Sequence, residues 1–313
     1  MTKSIIDVHS HAIFPSWREA LHKSGRSNAY APDWSVDGVL RMMDQHGIAR
    51  SVLSVPNVFT LMCDVGAPAL ARRINEEFAE LIHRHPDRFG AFALLPQNDL
   101  DAMVDETIYA LDHLRFDGIN TSTHVNGIYL GDPALDAWFD QMDRRAAILF
   151  VHPGVSAGFV NSSLGLNPSI LDFMFETTRA LANLVFSGRK KRFGRMKIIS
   201  THGGGTIPYL AHRLELLEPV FGPGPERLML SAEEVREGLA SFYFDLTACM
   251  NPGPLRALRE LVPVQQLLMG FDYPLMPETL VAPALQAFMS YEGFTEDERA
   301  AICRGNAERL FSL

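Results

Sequence analysis

Eight short runs rich in β-branched and aromatic residues recur along the chain, each separated from the next by helical spacing, and this alternation restricts the fold more than any other feature. The runs are Ile5–His9, Ser51–Val55, Phe89–Leu95, Gly118–Thr123, Ala147–His152, Lys197–His202, Phe242–Thr247 and Leu267–Asp272. Between them apolar residues recur with a helical period, as in Leu70, Ile74, Phe78, Leu81 and Ile82, or Leu135, Trp138, Phe139 and Met142. Gly47 and the His85-Pro86 pair supply helix stops. Parallel neighbours are joined through crossovers, and eight βα units predict an α/β fold closed as a (β/α)8 TIM barrel. No internal repeat, low-complexity tract or linker interrupts the pattern, so residues 1–313 are expected to form one domain.

Composition removes several function classes. Hydrophobic residues make up 47% of the chain, yet no apolar run approaches the roughly 20 residues that cross a bilayer, so no membrane span is expected. A net charge of -9 disfavours nucleic acid, whose phosphates call for clustered cations. The densest basic run, Arg189 to Arg192, is short and reads as a solvated helix end. Cys63, Cys249 and Cys303 are odd in number and lack metal-ligand spacing. Neither a disulfide framework nor a thiolate zinc site is expected, which fits a reducing cytoplasm. The start MTKS, followed at once by a strand and two histidines, lacks the pattern of a signal peptide.

In barrels of this kind the reactive groups lie at the C-terminal ends of the strands. His9 and His11 close the first predicted strand, His152 the fifth, His202 the sixth and Asp272 the eighth. Residues two apart on an extended segment share a face, so Asp7, His9 and His11 can point together toward the barrel axis. With eleven histidines in 313 residues, roughly 0.4 His-x-His pairs arise by chance, so the pair alone carries little weight. Three further candidates, His152, His202 and Asp272, end other predicted strands and carry much more. Imidazoles and a carboxylate suit zinc, manganese or iron, with room left for water or substrate. His22, His46, His83, His85, His113 and His212 fall in helical or connecting segments, where a surface role is expected, and His124 stays open. The long connections Ala12–Trp34 and Pro153–Asn167 should lie over the barrel mouth. The glycines Gly203 to Gly205 lack the Lys-Ser/Thr of a phosphate loop and are expected to admit backbone close to a ligand. There is no Gly-x-Ser-x-Gly elbow, and Cys249 has no evident base partner.

At these residues the sequence resembles the amidohydrolase superfamily, in particular the decarboxylase branch that includes 2-amino-3-carboxymuconate-6-semialdehyde decarboxylase. The matching segments are Ile6–His11 (IDVHSH), Val151–Pro153 (VHP), Thr201–Gly205 (THGGG), Gly270–Pro274 (GFDYP) and Gly305–Phe311 (GNAERLF). The stretch Leu171–Gly188 further resembles the 6-methylsalicylate decarboxylase subgroup. The resemblance implies one divalent ion, zinc with manganese as the alternative, on His9, His11, His152 and Asp272. It implies catalytic roles for His202 and Asp272, with His202 as the acid/base group. Arg213 matches an arginine that reaches into a neighbouring subunit's site and binds substrate carboxylate, which implies a homodimer or larger assembly. A first-loop arginine of such relatives has its nearest counterpart in Arg26. Phe271 replaces a common serine before the metal aspartate and is a candidate apolar wall for substrate, as are Trp17 and Phe173.

The expected reaction is metal-dependent, non-oxidative decarboxylation of a small aromatic, hydroxybenzoate-type, or unsaturated carboxylic acid. The same residues would also serve hydrolysis of a lactone or C-C bond, or hydration of an alkene, by a metal-activated water.

Overall fold

Each of the eight predicted runs forms a strand of one parallel sheet: β1 (Ile5–His11), β2 (Ile48–Ser54), β3 (Phe89–Ala93), β4 (Gly118–Ser122), β5 (Ile148–His152), β6 (Lys197–Ser200), β7 (Tyr243–Asp245) and β8 (Leu267–Leu268). The computed structural model describes residues 4–25, 32–56, 62, 64, 66–97, 99–125, 127–156, 164–221 and 229–313. Neighbouring strands pair in chain order. The ring is completed where Val8 N–H donates to the Met269 carbonyl at 2.9 Å, Asp272 N–H to that of His9 at 2.6 Å and His11 N–H to that of Tyr273 at 2.7 Å. The chain therefore folds as a (β/α)8 barrel.

The strands read as continuous apolar runs because both their faces are covered. Inside the barrel, Ile6, Val8, Val52, Phe92, Phe150, Ile199 and Leu268 form one buried cluster, and Phe92 stacks on Phe150 at 4.7 Å. The terminal helix Asn306–Phe311 closes the end away from the strand C-termini, with Ala307 buried in that cluster and Phe311 6.0 Å from Phe92. A larger apolar layer between strands and helices includes Trp17, Phe78, Trp138, Phe139, Leu181 and Phe242. Among the described residues no helix is long and apolar enough to cross a membrane.

Helix ends follow local chemistry. Gly47 stops Val36–His46 in the left-handed region, at φ 71°, where a side chain would be strained. Ser231 and Thr295 begin helices with reciprocal capping boxes to Glu234 and Glu298. His46 departs from the expected surface role: it is buried, with Nε2 3.5 Å from Glu278. The last turn of Val36–His46 packs against the barrel, so its histidine is covered.

An antiparallel hairpin, His124–Val125 with Ile128–Tyr129, interrupts the β4–β5 connection. Tyr129 Oη–H donates to Glu176 at 2.8 Å, and His124 Nε2 lies 3.1 Å from the Val155 carbonyl. Ser156 N–H donates to Asp172 at 3.1 Å. These bonds tie the start of the connection after β5 to the helix Asp172–Phe186 and set Phe173 on that helix beside the barrel mouth.

The basic run is not simply solvated. Arg189 and Arg192 both pair with Asp136, and Lys191 pairs with Glu234. Lys190 instead is buried, its Nζ 5.5 Å from the Phe242 ring, with no carboxylate at ion-pairing distance among the described residues. Burial, reinforced by Lys197, pushes this amine down to about 8. Between about pH 8 and the ordinary lysine value of 10.5 the unfolded chain holds the proton and the folded chain does not, so stability rises with pH in that window. Lys190→Met should raise Tm at pH 7 and flatten this rise. Thermal unfolding of both proteins at pH 7 and pH 10 checks it, and an unchanged pH dependence would be the contrary result.

Candidate metal centre and active site

His9, His11, His152 and Asp272 converge at the mouth of the barrel, each offering one donor atom within 4.8 Å of the others, and all four are buried. β1 brings two of them together. His9 Nε2 and His11 Nε2 stand 3.3 Å apart, and Asp272 Oδ1 lies 3.3 Å from the former and 2.8 Å from the latter. Ligand atoms about 2.0–2.1 Å from a shared ion stand roughly 3–3.4 Å from one another in tetrahedral geometry, so these separations suit one cation. His152 Nε2 is buried without a hydrogen-bond partner, as a nitrogen reserved for a ligand would be.

The other face of each imidazole is held. Ser54 Oγ lies 2.9 Å from His11 Nδ1, the Pro153 carbonyl 3.1 Å from His152 Nδ1, and Asp245 Oδ2 2.8 Å from His9 Nδ1. The carbonyl and the carboxylate only accept, so they place the proton of His152 and His9 on Nδ1 and turn Nε2 to the cluster, while the Ser54 hydroxyl, able to donate or accept, holds the His11 ring in place. β1 carries a register irregularity between Asp7 and Ser10. Asp7 accepts the His9 backbone N–H at 3.0 Å, and burial pushes its carboxyl up to about 7.

Burial would also raise Asp272, but His9, His11 and His202 crowd the carboxylate and hold it well below the usual range. The same logic runs in reverse at His9, where burial disfavours the cation yet Asp245 and Asp272 outweigh it and lift the group to about 10. His11 and His152 are pushed down by burial and by neighbouring histidines. The centre thus combines an anionic carboxylate with neutral imidazoles at His11 and His152, while the His9 proton is one that a cation would have to displace.

His202 and Asp272 lie beyond the ladders predicted to contain them, because both leave the strand in the left-handed region, at φ 52° and 57°. Side chains rarely adopt this conformation, and it turns both residues into the mouth. His202 Nε2 stands 3.7 Å from Asp272 Oδ2, and its ring centroid is 5.0 Å from that of His9. The glycines that follow serve packing rather than ligand approach. A Cβ on Gly204 would sit 2.4 Å from the Phe244 ring, and one on Gly205 2.2 Å from the Met174 carbonyl.

A cavity of about 570 Å³ opens over this cluster. His152, His202 and Asp272 lie on its wall together with Ile170, Phe173, Met174, Leu275 and Met276, and its described lining has no lysine or arginine. Phe173 therefore faces the cavity as expected. Phe271 is buried outside its lining, beside Met250, Leu280 and Val281, and Trp17 is a core residue. Arg213 is exposed on the helix Ile207–Phe221, away from this chain's own cavity. Arg26, Cys63 and parts of both long connections lie outside the described residues. Burial pushes the Cys249 thiol up to about 12, so it supplies no thiolate.

Sequence reasoning did not single out Asp245, Ser54 or Thr247. Only Asp245 left a signal, as an acid inside the otherwise apolar run Phe242–Thr247.

Imidazoles and a carboxylate gathered at the C-terminal mouth of a (β/α)8 barrel form a donor set that could hold a divalent ion. The chain belongs to the amidohydrolase family, whose model matches residues 6–313. The decarboxylase yanB of Aspergillus niger is 34% identical over 98% of this chain and 87% of its own length. The 6-methylsalicylic acid decarboxylase of Penicillium expansum is 33% identical over 98% of this chain and 95% of its own. The crystal structure of 5-carboxyvanillate decarboxylase LigW from Sphingomonas paucimobilis is alike in fold, with a TM-score of 0.87 at 24% identity and 100% of each chain covered. The chain is an enzyme, a carboxy-lyase like these relatives.

Gly270 lets β8 lie against His9, since a Cβ there would meet Thr247 Oγ1 at 2.6 Å and the His9 Cβ at 2.8 Å. Gly270→Ala should therefore cost about 1–3 kcal/mol of stability. Denaturant unfolding measures the loss, and a wild-type midpoint would show that β1 yields freely at His9.

Proposed function

We propose that the enzyme removes carbon dioxide, without oxidation, from a small hydroxybenzoate-type acid, using one divalent ion held by His9, His11, His152 and Asp272. The observation that carries this reading is the convergence of four buried donor atoms beneath a largely apolar cavity of about 570 Å³, which has room for a substituted aromatic acid. Zinc suits the three imidazoles and single carboxylate, and manganese is the alternative. A cation bound there supplies Lewis acidity that stabilises negative charge on the substrate oxygens.

The protein's own groups supply the rest. Phe173, Ile170 and Met276 offer apolar surface to a ring, and the fourfold cluster fixes where its carboxylate end must lie. Loss of carbon dioxide requires a proton on the ring carbon that bears the carboxylate, followed by cleavage of the bond to that carboxylate. Asp272 is held as an anion and is a poor proton store. His202, 3.7 Å from Asp272 and on the cavity wall, is the better donor.

No lysine or arginine stands among the described lining residues, so a cation from beyond them would further neutralise the substrate carboxylate. Arg213 of a second copy fits that need. Tyr209, Arg213, Leu216 and Val220 are all exposed on one face of Ile207–Phe221, and the three apolar ones are 85%, 56% and 69% exposed. A second copy packed on that face would cover them.

Purified enzyme loaded with zinc or manganese should release carbon dioxide from members of a hydroxybenzoate panel. Oxygen-18 from water entering the product would instead mark a hydrolase. His202→Asn should lower kcat by roughly 10² to 10⁴ at unchanged metal content, whereas Asp272→Asn should lose both metal and turnover. Elemental analysis beside kinetics separates them, and a metal-free His202→Asn protein would reassign that residue as a ligand.

Arg213→Ala and His202→Ala chains, each inactive alone, should recover activity when co-assembled. Mixed oligomers without any recovery, or a monomer by sedimentation, would remove Arg213 from the site.

A further inference from the structure

Asp245, at the end of β7, touches both functional arms of the site. Its Oδ2 lies 2.8 Å from His9 Nδ1, and its Oδ1 accepts the backbone N–H groups of His202 and Thr247, each at 3.0 Å. The residue is fully buried, and His202 begins the left-handed turn that continues through Gly203 and Gly204. Thr247 Oγ1 is also 3.1 Å from His9 Nδ1. Three donors thus converge on one side chain from two directions, and only a carboxylate accepts on both sides. An amide in its place must turn an N–H toward either His9 or the two backbone N–H groups.

We propose that Asp245 is a positioning residue that joins the proposed metal ligand His9 to the proposed proton donor His202, fixing the tautomer of the one and the backbone turn of the other. The inference rests on the metal-dependent reading above. By accepting the proton of Nδ1, Asp245 makes Nε2, which faces His11 and Asp272, the nitrogen that would yield its proton to a cation. By accepting the His202 N–H, it holds the start of a turn that extended backbone would not make. One rigid group therefore sets the distance between the ion and the proton donor.

Asparagine separates the two arms. In Asp245→Asn the amide oxygen keeps the two backbone donors, while Nδ2–H faces His9 Nδ1 and forces that ring to carry its proton on Nε2, where it blocks the cation. The expected result is a fall of roughly 10- to 100-fold in zinc affinity. Slow amide exchange at His202 and Thr247 should stay at the wild-type rate. Asp245→Ala should lose both the affinity and the amide protection.

Zinc affinity is read by competition with a chromophoric chelator, and amide exchange by mass spectrometry of the peptides around His202 and Thr247. Wild-type affinity in Asp245→Asn overturns the inference while leaving the metal reading intact. A wild-type chain that takes up no zinc or manganese overturns both. If Asp245→Asn fails to fold, nitrogen spectra of the His9 ring in zinc-loaded wild-type protein decide: a proton on Nδ1 supports the assignment, and one on Nε2 overturns it.

Discussion

Placing a carboxylate and four imidazoles at the mouth of an apolar barrel is the constraint on which the rest of the structure depends. Charges and unpaired polar groups are costly in such surroundings unless they compensate one another. Asp272 is compensated by His9, His11 and His202, and His9 by Asp245. What remains is a set of nitrogens facing inward, including the unpartnered His152 Nε2. A divalent cation would satisfy that remainder. Binding energy at such a cluster would also be folding energy, holding the mouth of the barrel together from within.

The backbone bends to meet the same demand. β1 breaks register so that two of its histidines meet, and β6 and β8 end early so that His202 and Asp272 turn inward through left-handed conformations. Glycines beside these turns let β7 and β8 close in, Gly204 against Phe244 and Gly270 against His9. Strain at the strand ends is carried by a ladder and an aromatic interior that leave little freedom elsewhere. The reactive groups are therefore positioned by the strands at His9, His11 and His152 and by the turns that directly follow them at His202 and Asp272.

The cavity above the centre divides the labour of recognition. Its walls are largely apolar, and the ionisable side chains among its described lining are His152, His202 and Asp272. A flat ring with one charged end matches that division, because the ring finds apolar contact and the charge finds the cluster. Arg213 stands outside the described lining, on a helix face that also exposes Tyr209, Leu216 and Val220. An exposed apolar stripe and the lack of a lysine or arginine among the described lining residues are two deficits that a second copy would meet together.

Much of this was legible in the sequence because barrels tie function to strand ends. Apolar periodicity located eight strands, and the reactive residues at their ends, His9, His11, His152, His202 and Asp272, are those that converge in space. Periodicity reports which face of an element is buried, but it does not report what that face meets. Asp245 was hidden for that reason: it is one acid in an apolar run, and its partners lie 236 residues away at His9 and 43 residues away at His202. Phe271 looked like a substrate wall from its place beside Asp272, yet the left-handed turn sends the two side chains to different surroundings. Lys190 looked solvated within a basic run, but docking of its helix buries one of the four cations. The sequence by itself determined the barrel and the donor set, since both follow from local pattern. Only the tertiary structure decided tautomers, charges and the lining of the cavity, because these depend on distances between strands that no local pattern encodes.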